Sequence, residues 1–398
     1  MSAAPMTDEA AARSLLSAAA VRERAHELLA IGIEDGLAEW RLDLGAMSDV
    51  ADLTAEVVRA NYPDLNVPFH ARWRHFVIAG RDLWAERPKR ADVAEGARAA
   101  FDLAITSVLL DAGAGAAWRY RDAATGAELG RSEGLGIASL RMFESGAMSS
   151  DPAEPLRADA LGRVDAALLA EAFQVSAANP IVGLEGRAAL LRRLGEAVGR
   201  PGELYDEMAA RAVAGRLPAP VILEVLLARL GPIWPGRIAL GGVSLGDCWR
   251  HPALKRDDPT DGLVPLHKLS QWLAYSLIEP LEAAGVEVTN IDGLTGLAEY
   301  RNGGLFVDGG VLVLRNPEDA GKAHPVESPL VVGWRALTVA LLDQLAPLVR
   351  ERLAVTAEDF PLARVLEGGS WAAGRRLARE ARADASPPIT VISDGTVF

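Results

Sequence analysis

The sequence predicts a mainly α-helical protein carrying a few short β-hairpins. Alanine-rich stretches with apolar residues at helical spacing dominate the chain, while the β signals are few and brief. The 398 residues are 50% hydrophobic and 24% charged, an ordinary globular composition with enough apolar surface for a sizeable core. A chain of this length exceeds the size at which one core usually stops growing, so one large domain or two closely packed ones are expected.

Taken in order, Ser17 is placed to cap a helix through Val21, Ala25, Leu28 and Leu29, with Gly32 as its stop. Ser48 or Asp49 opens a second through Leu53, Val57 and Val58, ended by Pro63. Further helical stretches run over residues 101–110, 135–143, 165–173, 184–198 and 222–230. Arg237–Leu245 reads as a hairpin with a Gly241-Gly242 turn, and Leu305–Leu314 as a second hairpin. A helix is expected to open at Pro265, with Leu266, Leu269, Leu273 and Leu277 on its apolar face and Gly285 closing it. Residues 257–262 and 382–388 read as loops, and Ile389–Ile392 as a docked strand. Prolines 218, 220, 232 and 235 suggest a boundary between an N-terminal helical part, 1–216, and a C-terminal part, 217–398, that holds the site. The same prolines also suit punctuation within one compact unit.

The net charge of −13 argues against a general nucleic-acid binder but not against a small anionic substrate held by a local arginine cluster. Cys248 is the single cysteine, which rules out an intramolecular disulfide and a four-cysteine zinc site. Residues 1–12 carry Asp8 and Glu9 and no apolar signal region. The apolar run at 99–118 is broken by Asp102 and Asp111, so no membrane partner is expected and a cytoplasmic location is.

Three clusters could carry chemistry. On the helix expected from Pro265, His267, Gln271 and Tyr275 recur at i, i+4 and i+8, with Lys268 beside His267; the chain has only four lysines. The same pattern suits a helix with one wet face. Glu299, Tyr300 and Arg301 precede Asn302-Gly303-Gly304, where a carboxylate at a tight junction could stabilise developing positive charge; an exposed Asn-Gly turn with a Glu299–Arg301 pair fits the same residues. In Phe69–Phe76, His70, Arg72, Arg74 and His75 supply donors suited to a phosphate, with Phe69, Trp73 and Phe76 as a wall, or the aromatics are core and the arginines surface. His70 and His75, five apart, would point about 140° away from each other on a helix, a poor metal pair. No metal and no cofactor are expected. Cys248 lies near His251, but a lone thiol in such a run is more often packed than nucleophilic.

Several motifs, read together, resemble the uracil catabolism protein 4 family of fungi and bacteria. The first are Ala60–Leu65, Phe69–Phe76, Ser107–Gly115, Arg131–Gly134, Ser149–Pro152 and Gly183–Arg187. They continue with Gly246–His251, Leu266–Trp272, Glu299–Gly304 and Ser393–Phe398, covering the chain from about Ser14. That resemblance implies a role in pyrimidine degradation in which the uracil ring is opened at the nucleotide level and urea is later released. A ribosylurea phosphate intermediate then needs its C1′–N bond cut.

A second resemblance covers residues 264–342. Val264–Gln271 followed by Leu294–Arg301 is similar in order and spacing to the queuosine salvage proteins, helical N-glycosidases with a DNA-glycosylase-like fold. It implies that fold here, with Glu299 where that family has an aspartate, and Lys268 and Arg335 matching its lysine and an arginine. Gly333 stands where both families lead one to expect an acidic residue. The expected reaction is N-glycosidic hydrolysis of a small, nucleotide-derived substrate, with Glu299 facing the anomeric carbon and His267 donating the proton. Lys268, Arg301 and Arg72, near His70, would hold the phosphate, and Tyr300 or Trp272 would wall the sugar. The rival readings are an amidohydrolase acting on the urea end and a non-catalytic partner that binds the nucleotide.

Overall fold

Side-chain caps set the start of many helices in the computed structural model, which describes residues 6–88, 90–115, 117–234 and 236–392. Ser17 caps Ala18–Ile33 by accepting from the Ala20 N–H, Asp92 caps Val93–Leu109, Asp165 caps Ala166–Ala172, and Ser328 caps Pro329–Leu353. The molecule is mainly α, and among the described residues each strand pairs with only one other.

The chain divides into two units that are interleaved along the sequence, unlike the in-order division at Leu217 expected from the prolines. The first comprises the described residues of Met1–His70, Gly236–Gln271 and Asn290–Ile392. The second comprises those of Ala71–Pro235 and Trp272–Thr289.

In the first unit Pro329–Leu353 is the central helix, packed by Ala18–Ile33 and Met47–Asn61. It is long and apolar enough to span a membrane, yet 83% of its most apolar window is buried inside the fold, which makes it a core helix. Trp40 and Trp334 are buried here, and Trp40 Nε1 donates to the Leu330 carbonyl at 2.9 Å. Trp40–Leu42 pairs antiparallel with Leu312–Leu314, and Cys248–Arg250 with Leu263–Pro265. Thr390–Ile392 docks as a strand, parallel to Ala323–Pro325. The Gly241-Gly242 hairpin forms as expected between Ala239–Leu240 and Val243–Ser244, with both glycines at positive φ.

The second unit is built on Val93–Leu109, against which Arg131–Glu144, Leu184–Val198 and Leu204–Ala210 pack. Phe101, Trp118, Phe143 and Phe173 fill its core. Arg216–Pro218 and Glu287–Thr289 form a parallel pair.

Three local expectations fail, the first being the start at Ser48 or Asp49: that helix runs over Met47–Asn61 with Ala46 at its N-cap and no side-chain cap. The Leu305–Leu314 hairpin does not form: residues 305–308 complete a helix, Tyr300–Asp308, and Leu312–Leu314 takes its partner from Trp40–Leu42. Pro265 does not open a helix either; it ends the strand Leu263–Pro265, and the helix runs over Lys268–Ala283 with Pro280 inside it. The motif at Ser393–Phe398 lies outside the described residues.

Candidate active site

Glu299 is the N-cap of Tyr300–Asp308. Its extended backbone turns the side chain back over the first turn, where Oε2 accepts the Arg301 N–H at 2.7 Å and Oε1 the Asn302 N–H at 2.5 Å. Each oxygen keeps further lone-pair capacity for a ligand. The residue is 8% exposed, so the carboxylate is not in bulk solvent. Burial pushes its pKa above the usual glutamate range, although the two backbone N–H groups, Lys268 and His70 all pull it back toward ionisation.

Lys268 is brought there by Asp247. The Asp247 carbonyl accepts the N–H groups of Leu266 and His267 at 2.9 and 3.1 Å, and its Oδ2 accepts the Lys268 N–H at 3.0 Å, so this residue fixes the start of the lysine's helix. The same carboxylate receives the Arg335 fork at 2.8 Å on both oxygens, and Trp249 Nε1 at 2.7 Å. Burial alone would raise the Asp247 pKa, but Arg335, together with Trp249 and the Lys268 N–H, holds the carboxyl well below the ordinary range. Arg335 Nε also donates to the Ala298 carbonyl at 3.2 Å. One buried ion pair therefore ties the lysine's helix to the backbone entering Glu299.

His70 lies in the irregular stretch before residue 71, with its N–H on the Ala363 carbonyl at 3.1 Å. Its Nδ1 lies 2.7 Å from Glu367 Oε2, and its ring is 6.4 Å from the Trp371 ring. Glu367 sits in a π-helical turn, Leu366–Ser370, a device that often marks functional positions. Gly368 and Gly369 let that turn approach closely, since a Cβ on Gly369 would stand 2.6 Å from Thr54 Cγ2. Ser370 Oγ donates to Asn302 Oδ1 at 2.8 Å, fastening the turn to the helix that Glu299 caps.

The remaining expected residues are placed as follows. His267 adopts φ 46° and is buried, with Nε2 donating to the Leu15 carbonyl at 2.9 Å; burial lowers its pKa, which keeps it neutral. That engagement occupies Nε2, while Nδ1 is buried without a hydrogen bond among the described residues. Arg335, expected to touch substrate, is 1% exposed and bound to Asp247. Arg301 is buried with its guanidinium carbon 4.9 Å from the centre of the Tyr300 ring; Nη1 donates to the Ala385 carbonyl at 3.0 Å, and Nε makes no hydrogen bond among the described residues. Arg72 and Trp272 belong to the second unit. There Arg72 is buried, bound to Ser107 and Asp111 at 2.7 Å each, with its guanidinium 5.6 Å from the Trp272 ring.

Reading the residues alone singles out neither Asp247 nor Glu367: the first sits beside the more conspicuous Cys248, and the second before a plain Gly-Gly pair. Cys248 itself is a packed thiol, pushed well up in pKa by burial. Gly333, where an acid was expected, faces His251, and a Cβ there would stand 3.1 Å from His251 Nε2. Glu39 is a carboxylate the fold does bring near that ring, at 3.9 Å. Among the described residues no three His, Cys, Asp or Glu side chains gather as metal ligands.

The first unit thus buries an acid at a helix N-terminus, with a lysine and a histidine–carboxylate pair acting on it. The chain belongs to the family described as "Protein of unknown function (DUF1688)", whose model matches residues 14–398. It is similar to Protein urg3 of Schizosaccharomyces pombe, 39% identical over 99% of this chain and 100% of that protein. It is also similar to Uracil catabolism protein 4 of Lachancea kluyveri, 37% identical over 90% of this chain and 92% of the relative.

Proposed function

We propose that this protein acts in uracil catabolism as an N-glycosyl hydrolase, cleaving a ribosylurea, as its 5′-phosphate, to urea and ribose 5-phosphate. The pathway rests on the likeness to Uracil catabolism protein 4. The reaction rests on one observation, the buried Glu299 carboxylate held by two backbone N–H groups with Lys268 and His70 acting on it. The likeness of residues 264–342 to the queuosine salvage N-glycosidases points to the same chemistry and to a DNA-glycosylase-like helical fold. The substrate is a small nucleotide derivative met in the cytoplasm, with no nucleic acid or membrane as partner.

Cleavage of a C1′–N bond passes through an oxocarbenium-like state, and a carboxylate beneath C1′ stabilises the charge that develops there. A partly desolvated carboxylate also suits removal of a proton from the attacking water. Toward an anionic group Lys268 supplies a point charge, Arg301 a buried Nε–H that makes no hydrogen bond among the described residues, and Tyr300 a flat face.

The test is to supply ribosylurea 5-phosphate and measure urea and ribose 5-phosphate. Wild-type turnover with a loss of roughly 10²–10³ in rate for Glu299→Gln supports the reading. Full turnover by Glu299→Gln refutes it. Ammonia and carbon dioxide in place of urea would indicate attack on the urea end, and tight binding without turnover a nucleotide-binding partner.

A further inference from the structure

We infer that His70, oriented by Glu367, is the general acid that protonates the departing urea nitrogen; this rests on the glycosidic reading above. Urea leaves poorly as an anion, so the C1′–N bond cannot break easily unless a proton reaches the nitrogen as the electron pair does. His70 is tied to Glu299 through the turn that carries Glu367, whose Ser370 holds Asn302 on the helix that Glu299 caps, and its charge favours ionisation of Glu299. The others in this unit are placed for different work. His267 is bound to the Leu15 carbonyl. His251 takes the Ala253 N–H on Nδ1, and burial lowers its pKa to about 4, so it is neutral near pH 7. His26 pairs with Asp343 and His324 with the Asp319 carbonyl.

The contacts of His70 suit a proton donor. Glu367 accepts the Nδ1–H at 2.7 Å, which fixes the tautomer and makes Nε2 the proton-transfer atom. Only 10% of the His70 side chain and 17% of the Glu367 side chain are exposed, so the pair is shielded without being sealed. The ring is aimed by three supports: the Ala363 carbonyl on its backbone, the Trp371 ring beside it, and the π-helical turn that carries Glu367.

The step balances. The Nε2 proton passes to the urea nitrogen, the C1′–N bond breaks with its electron pair going to that nitrogen, and a water oxygen bonds to C1′. Glu299 takes the water's proton and returns it to solvent, from which His70 is reprotonated. Water and ribosylurea phosphate become urea and ribose phosphate.

The experiment compares two substrates, ribosylurea 5-phosphate and 4-nitrophenyl ribofuranoside 5-phosphate, whose nitrophenolate leaves without protonation. His70→Asn should lose about 10²–10³ on the urea substrate and stay within about threefold on the nitrophenyl one. Glu367→Gln, a positioning variant, should lose about tenfold on the urea substrate alone, and it carries the test if His70→Asn fails to fold. Glu299→Gln should lose on both. Equal losses on the two substrates for the His70 and Glu367 variants, or none, overturn this inference and leave the glycosidic reading standing. A wild type that cleaves neither substrate overturns the glycosidic reading and this inference with it.

Discussion

At the scale of single residues, two carboxylates divide the work. Glu299 caps the helix Tyr300–Asp308, whereas Asp247 ties neighbouring elements together, because its one side chain answers Arg335, Trp249 and the Lys268 N–H together. Removing half of a buried ion pair strands the other half, so Asp247→Asn should destabilise the protein by about 3–5 kcal/mol in urea unfolding. A double change to well-packed apolar residues at 247 and 335 should cost much less; equal costs would contradict the ion-pair account. Glu299 and Lys268 are legible in the sequence because chemically loaded residues cluster around them in a chain with few lysines. Asp247 and Glu367 are not legible, because what matters about each is a partner 88 and 297 residues away.

Among the elements, Tyr300–Asp308 shows how local grammar misleads. Asn302-Gly303-Gly304 is a turn signature, yet here it lies inside a helix. The glycines serve packing instead: a Cβ on Gly303 would stand 2.7 Å from the Trp334 indole, and one on Gly374 would overlap the Arg301 carbonyl oxygen. Gly374→Ala should therefore push Trp371–Ala381 off the helix that Glu299 caps, at a cost of about 1–3 kcal/mol that thermal unfolding can read. An unchanged melting temperature would show that the two helices have slack. The helices at 18–33 and 184–198 are readable from sequence because their apolar spacing is local, as is the Ser17 cap of the first. The start at Lys268 is not, since the preceding Pro265 pairs with Cys248 and His267 takes a left-handed backbone.

For the molecule as a whole, acid stability should follow His251, which is 1% exposed. Burial lowers its folded pKa to about 4, below the unfolded value, so its contribution is fully present above about pH 6.5 and is lost as the pH falls through 4. The loss amounts to about 3 kcal/mol. His251→Asn, which cannot titrate but can still accept from the Ala253 N–H, should flatten urea-unfolding stability between pH 7 and 4 by that amount. An equally steep acid slope in the variant would assign it elsewhere. The broad class was readable from the alanine-rich spacing, but the interleaving of the two units was not, because prolines mark where a chain bends and not which stretches reunite. That interleaving governs birth on the ribosome. The unit holding Glu299 recruits helices from both the first 70 residues and the stretch 290–392, so its opening helices emerge long before their partners. At about 5–20 residues per second they wait roughly 15–60 s with apolar faces bare, an interval in which a holding chaperone or a slower codon decides how much of the nascent chain survives.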